Sequence, residues 1–103
     1  MDASMPHPLI SFVAGLHGVT TAELLSASRR REVSVPRMVL CWMLRQHGYS
    51  YPAIGRLVAK DHSSVFHAVG RVQRDAALQQ HARACLSLLE EVRLPALLGG
   101  RGA

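Results

Sequence analysis

Aromatic residues are scarce in this 103-residue chain: they make up 5% of it, against 49% hydrophobic residues overall. A core poor in aromatic and rich in aliphatic side chains, arranged in periodic runs, suits packed helices better than a sandwich of short strands. No apolar run approaches the roughly 18 residues that a bilayer span requires. The stretch "PLISFVAGL" is too short for one and lacks the basic flank of a signal peptide, so the expected location is the cytoplasm, without membrane attachment. Two cysteines, Cys41 and Cys85, stand far apart in apolar helical contexts with no CxxC pairing, which points to buried, reduced thiols rather than a disulfide or metal site. G-x-x-x-x-G-K-[ST] occurs nowhere, so this sequence carries no phosphate-binding loop of that kind. No Ser-His-acid or paired-carboxylate arrangement stands out either, and the expectation is a non-enzyme with no cofactor and no small-molecule substrate.

Lysine is nearly absent as well. Eleven arginines and one lysine face seven acids, a formal net charge of +5. Between Arg29 and Arg74, nine cations meet only Glu32 and Asp61, so this middle stretch holds +7 and the flanks together are mildly acidic. Localised positive charge of that kind is the sequence footprint of a polyanion-binding face.

Apolar periodicity and punctuation divide the chain into one expected domain over residues 7–94, between a disordered start (1–6) and a flexible tail (95–103). A first helix is expected from about His7 to His17, with Leu9, Ile10, Phe12, Val13 and Leu16 on one face and Gly18 closing it. "TTAELLS" offers a short helix capped by Thr20 or Thr21. "SRRREVS" breaks the pattern and reads as an exposed connection. A central buried helix then runs from about Val35, with Pro36 in its first turn, to Gly48. "SYPAIGRLVA" reads as a short helix capped by Ser50, with Pro52 in its first turn and Ile54, Leu57 and Val58 inward. After a tight turn at Ala59-Lys60 comes a helix capped by Asp61, so the pair forms a helix-turn-helix. A last helix, about Ala77 to Arg93, closes the core with Leu78, Ala82, Cys85, Leu86 and Leu89. With no Gly or Pro before it, fusion with its predecessor into one long helix is an open alternative.

The segment "KDHSSVFHAVGRV" (Lys60–Val72) carries the chemistry. With Val65, Val69 and Val72 inward, the same helix turns Ser63, His67, Gly70, Arg71 and Arg74 outward. A helix N-terminus offers unpaired N–H groups and partial positive charge, which suit an anion such as phosphate. Hydroxyl and imidazole groups in the first turns with arginines beyond them are laid out like a recognition helix, and equally like a capped, solvated surface helix. His62 and His67, five residues apart, project about 140° from one another, so a shared metal site is not expected.

"DHSSVFHA" resembles the DHTTVxHA signature of the C-terminal DNA-binding domain of the bacterial replication initiator DnaA. "ELLSASRRREVSVPR" resembles that domain's xLLSxxRxxxxxxPR stretch, and "SYPAIG" resembles its helix leading into the turn. The match runs in consistent order from about Leu9 to Arg74. The resemblance implies an all-α, compact, Trp-repressor-like helix-turn-helix fold, nucleoid-associated, that binds double-stranded DNA at A·T-rich DnaA-box-like sites in replication initiation or its regulation. It implies base reading by Asp61, His62, Ser63 and Ser64, a backbone contact by His67, and Arg29 in the minor groove. Arg37 and Arg45 would hold phosphates or bases beside it, and Arg30, Arg31, Lys60 and Arg71 complete the expected DNA-binding set. Departures are present: serines replace the two threonines, Met38 stands where a polar residue commonly follows Pro-Arg, and Ala59-Lys60 replaces a Gly-containing turn. Two other readings stay open, a transcriptional regulator or mobile-element accessory protein using the same domain, and a helical protein-interaction domain whose arginines merely solvate it.

Overall fold

Capping residues cut the apolar pattern into six helices among the residues described, 7–92, in the computed structural model: α1 (Pro8–His17), α2 (Thr21–Leu24), α3 (Arg31–Gln46), α4 (Tyr51–Val58), α5 (His62–Arg74) and α6 (Ala76–Glu91). No strand occurs among the described residues, and none of their helices is long and apolar enough to cross a membrane. The all-α expectation holds. The expected disordered start and flexible tail lie outside the described residues, as does Arg93.

Each junction has a local cause. His7 caps α1, its Nδ1 accepting from the Leu9 N–H at 3.1 Å, and Gly18 ends the helix in the left-handed region at φ 69°. Thr20 and Glu23 form a reciprocal capping box on α2. Ser50 caps α4 through the Ala53 N–H at 3.2 Å, with Pro52 in the first turn, where its missing donor is harmless.

The start of α3 differs from the sequence reading. The helix begins at Arg31, four residues before Val35, so part of "SRRREVS" is helical. Val33, Pro36, Leu40 and Met43 fall at helical spacing and are all buried, and burying Val33 draws the first turn into the helix. Pro36 is thus inside the helix; the N–H it lacks would have met the carbonyl of Glu32, a residue that is exposed to solvent.

α5 and α6 are separate helices. Asp75, at φ −102° and ψ 113°, ends one and caps the other, its carboxylate accepting from the Leu78 N–H at 3.1 Å. The break needed neither Gly nor Pro, because an Asp side chain competes for the backbone donors of the next turn.

α3 lies at the centre, packed against all five other helices. Val39, Leu40, Cys41, Trp42, Met43 and Leu44, around its whole circumference, are buried. Leu9, Ile10 and Val13 from α1, Ile54 and Val58 from α4, Val65, Val69 and Val72 from α5, and Ala82, Cys85 and Leu89 from α6 complete the core. Of the apolar face expected on α1, Leu16 is 42% exposed and Phe12 is half-buried.

Two backbone positions set how α4 meets α5. Ala59 adopts φ 62° and ψ 41°, the left-handed conformation that disfavours a Cβ, and the chain turns back so closely that the Lys60 N–H bonds to the Gly55 carbonyl at 3.0 Å. A Cβ on Gly55 would stand 2.6 Å from the Lys60 carbonyl oxygen, a backbone atom that no rotamer change can move. We therefore expect Gly55→Ala to lower stability by about 1–3 kcal/mol through overpacking, and Ala59→Gly to raise it by about 1 kcal/mol through relief of the left-handed strain. Chemical denaturation of the two variants checks both signs.

Candidate nucleic-acid interface

The first two turns of α5 present a row of polar side chains because Val65, Val69 and Val72 take the inward face. Asp61, His62, Ser63, Ser64, His67 and Arg71 are all exposed. The Asp61 carboxylate accepts from the Ser64 N–H at 2.8 Å. That backbone bond, joined by the Ser64 hydroxyl, holds its carboxyl below the ordinary range, so Asp61 is ionised while it caps the helix.

Beside α5 runs a groove of about 510 Å³, walled by Ser28 and Arg29 of the α2–α3 connection, by Arg37 and Met38 of α3, and by Ser64 and Arg71 of α5. Residues up to 44 positions apart in sequence, from Ala27 to Arg71, thereby share one concave surface. Arg29 stands exposed at its rim, and Arg30 and Arg31 are exposed on the same connection and the first turn of α3. Arg30 is engaged by Glu32 at 2.9 Å, an ion pair more than half exposed on both sides and correspondingly weak.

Arg37 and Lys60 have a role that sequence reasoning did not foresee. The Arg37 Nε donates to the Leu24 carbonyl at 2.8 Å and its Nη1 to the Ser28 carbonyl at 2.9 Å. The Lys60 Nζ donates to the carbonyls of Ser26, at 2.8 Å, and Leu25, at 3.3 Å. Two cations from α3 and from the turn before α5 thus bind four carbonyl oxygens, one at the last residue of α2 and three in the α2–α3 connection. Burial pushes the pKa of both down, and for Lys60 the neighbouring Arg37 charge pushes further in the same direction. The Arg37 Nη2 is buried without a hydrogen-bond partner among the described residues. Each gives two hydrogen bonds to the protein's own backbone, and so ties the connection to α3 and to the turn before α5.

Arg45 lies apart from the groove. Its Nη1 donates to the Tyr49 carbonyl at 3.0 Å and its guanidinium sits 4.4 Å from the centre of the Tyr51 ring. Tyr51 meets Phe66 edge to face at 5.4 Å, and Phe66 meets His67 at 5.8 Å, so a continuous row joins the end of α3 to the outer face of α5. Phe66, 55% exposed, was not among the expected site residues. Its signal was an aromatic placed off the buried stripe of a helix in a chain with few aromatics.

The model of the bacterial DnaA protein helix-turn-helix matches residues 6–72, that is, most of the chain through the end of the groove. This chain belongs to that family. DnaA relatives named chromosomal replication initiator protein agree: the one from Synechocystis sp. is 40% identical over 72 residues, covering 68% of this chain and 16% of its own length. That of Thermomicrobium roseum is 38% identical over 68 residues, 64% of this chain and 15% of its own. That of Thermus thermophilus is 32% identical over 88 residues, 84% of this chain and 20% of its own. The chain therefore spans only about a sixth of the length of the DnaA relatives it matches. All of α6 and the last two residues of α5 lie beyond the segment matched by the DnaA family model.

If Arg37 and Lys60 hold the connection, removing them loosens it without unfolding the helices. We expect Arg37→Ala to lower stability by about 2 kcal/mol, the scale of hydrogen bonds donated by a charged group, and Lys60→Ala by about 1 kcal/mol. In both, amide hydrogen exchange over residues 25–29 should accelerate while α3 and α5 keep their protection. Unchanged exchange in that segment would show that the two cations do not restrain it.

Proposed function

We propose that this domain binds double-stranded DNA sequence-specifically at A·T-rich, DnaA-box-like sites, in replication initiation or its regulation, with no ATPase activity of its own. The observation that carries the reading is the groove, which sets an exposed arginine loop and the polar N-terminal turns of α5 side by side. A helix of this kind fits the major groove, where the first side chains meet base edges and later ones meet phosphate. Asp61, His62, Ser63 and Ser64 are the readers in this account, and His67 and Arg71 contact the backbone.

Arg29 enters the adjacent minor groove, whose negative potential in narrow A·T-rich DNA favours a guanidinium. Arg30 and Arg31 add phosphate contacts, Arg30 after release from Glu32. Arg45, pre-oriented by Tyr51, meets a phosphate on the far side of α5. Arg37 and Lys60 contribute positive potential at the groove and keep Arg29 in position. Serine in place of threonine at positions 63 and 64 removes two methyl groups that could pack on thymine methyls, so the preferred site differs in detail from one read by threonines. Selection from a random duplex pool tests the reading: recovery of an A·T-rich, DnaA-box-like motif supports it, and recovery of an unrelated motif turns it towards a regulator using the same domain for another site. No enrichment, even at low salt, would favour a protein-interaction domain.

Salt gives a second test. If about four phosphates are neutralised, a fourfold rise in monovalent salt lowers affinity about a hundredfold. A flat response in a fluorescence-anisotropy titration would rule out phosphate binding.

Contacts that position and contacts that read should separate by mutation. Arg45→Ala should weaken all duplexes about equally, since phosphate carries no sequence information, whereas Ser63→Ala or Ser64→Ala should reduce discrimination between the selected site and a scrambled one. Asp61→Asn keeps a capping oxygen but changes the charge and donor pattern at the helix start. Near-normal melting with specificity relaxed at one base pair assigns Asp61 a reading role; unchanged specificity leaves it a cap, with His62, Ser63 and Ser64 as readers.

A further inference from the structure

On the side of the molecule where α1 meets α6, three side chains that no linear spacing connects converge. His17, in the last turn of α1, and His81 and Cys85, four residues apart on one face of α6, place their ligating atoms within 4.8 Å of one another. The two Nε2 atoms are 2.8 Å apart, and the His81 Nε2 lies 3.7 Å from the Cys85 Sγ. Tetrahedral zinc with bond lengths near 2.05 Å to nitrogen and 2.3 Å to sulfur separates its donors by about 3.3 Å (N to N) and about 3.6 Å (N to S). The two nitrogens must part by about half an ångström, the His81–Cys85 pair already fits, and the His17–Cys85 separation, at most 4.8 Å, closes by about an ångström or less, adjustments that side-chain rotations supply.

We propose that His17 Nε2, His81 Nε2 and Cys85 Sγ form a Zn²⁺ site that ties α1 to α6, with water completing the tetrahedron. The donor set is the one that borderline-soft divalent ions prefer, imidazole with thiolate.

The hydrogen bonds already present favour it. The His17 Nδ1–H donates to the Val13 carbonyl at 2.7 Å, which leaves the Nε2 lone pair of the neutral ring facing His81. This is the arrangement by which metal-bound histidines fix their tautomer. Without metal, the short contact between the rings requires His81 to supply the proton. On binding, His81 moves that proton to its Nδ1, Cys85 releases its thiol proton to solvent, and the ion takes the place of the bridging hydrogen.

Cys41 supplies an internal control. It lies on the other side of the core, lining the groove of α3 and α5, and burial pushes its thiol up to about 12.

The test is titration of the reduced full chain with Co²⁺, followed by competition with Zn²⁺. The wild type should show a thiolate-to-cobalt charge-transfer band with strong tetrahedral d–d bands, saturating at one metal per chain and abolished by Zn²⁺, and Zn²⁺ should raise its Tm. Cys85→Ala should lose the charge-transfer band, Cys41→Ala should keep it, and His81→Gln should weaken binding by at least roughly tenfold, since even the outer partners of metal ligands carry that much. His81 is exposed, so His81→Gln decides the matter if circular dichroism shows that Cys85→Ala does not fold. No saturable band in the wild type, a band retained in Cys85→Ala, or unchanged affinity in His81→Gln would overturn the site.

Discussion

Four backbone carbonyls turned inward onto two cations hold the candidate interface together. The end of α2 and the irregular connection to α3 leave carbonyl oxygens without helical partners, and Arg37 and Lys60 donate to those of Leu24, Leu25, Ser26 and Ser28. Arg37 belongs to the central helix and Lys60 immediately precedes the cap of α5, so one polar cluster joins the arginine loop, the core and the outward helix. Burial lowers the pKa of both cations, the Arg37 charge lowers that of Lys60 further, and the carbonyl dipoles offset the cost. The arrangement positions Arg29 by geometry rather than by a rigid loop of its own.

The angle between α4 and α5 rests on a different device. Gly55 admits the Lys60 carbonyl where any side chain would collide, and Ala59 tolerates a left-handed backbone on the way. Strain at a turn persists only where its surroundings over-determine it. Here Ile54, Val58 and Val65 are buried on either side of the turn, and the Asp61 cap fixes the next residue, so the strained residue has little alternative. The turn that carries Lys60 to the loop carbonyls is thus the same turn that aims α5 outward.

Much of this was legible in the sequence. Gly18, Thr20, Ser50 and Asp61 announced their caps, because capping depends on a residue and its next three neighbours. The inward stripe of α5 followed from a period of 3.6 residues, and its outward row followed with it. The start of α3 was misplaced because Pro36 looked like a first-turn proline, whereas burial of Val33 extends the helix past it. The joint at Asp75 is not marked in the sequence, because the capping carboxylate has no Gly or Pro beside it.

By itself, the sequence determined the helical class, the helix-turn-helix order, the basic middle and the family, since each depends on local periodicity, local chemistry or contiguous motif. Tertiary structure alone decided what the charged and ligating side chains face. Arg37 is expected from the sequence at phosphates or bases, and only the fold shows that two of its donors meet the carbonyls of Leu24 and Ser28. His17 and Cys85 looked like ordinary residues of two separate helices until the packing of α1 on α6 brought them to His81. Side-chain partnership between distant residues is set by how helices cross. That depends on the whole core at once, and no window of the sequence contains it.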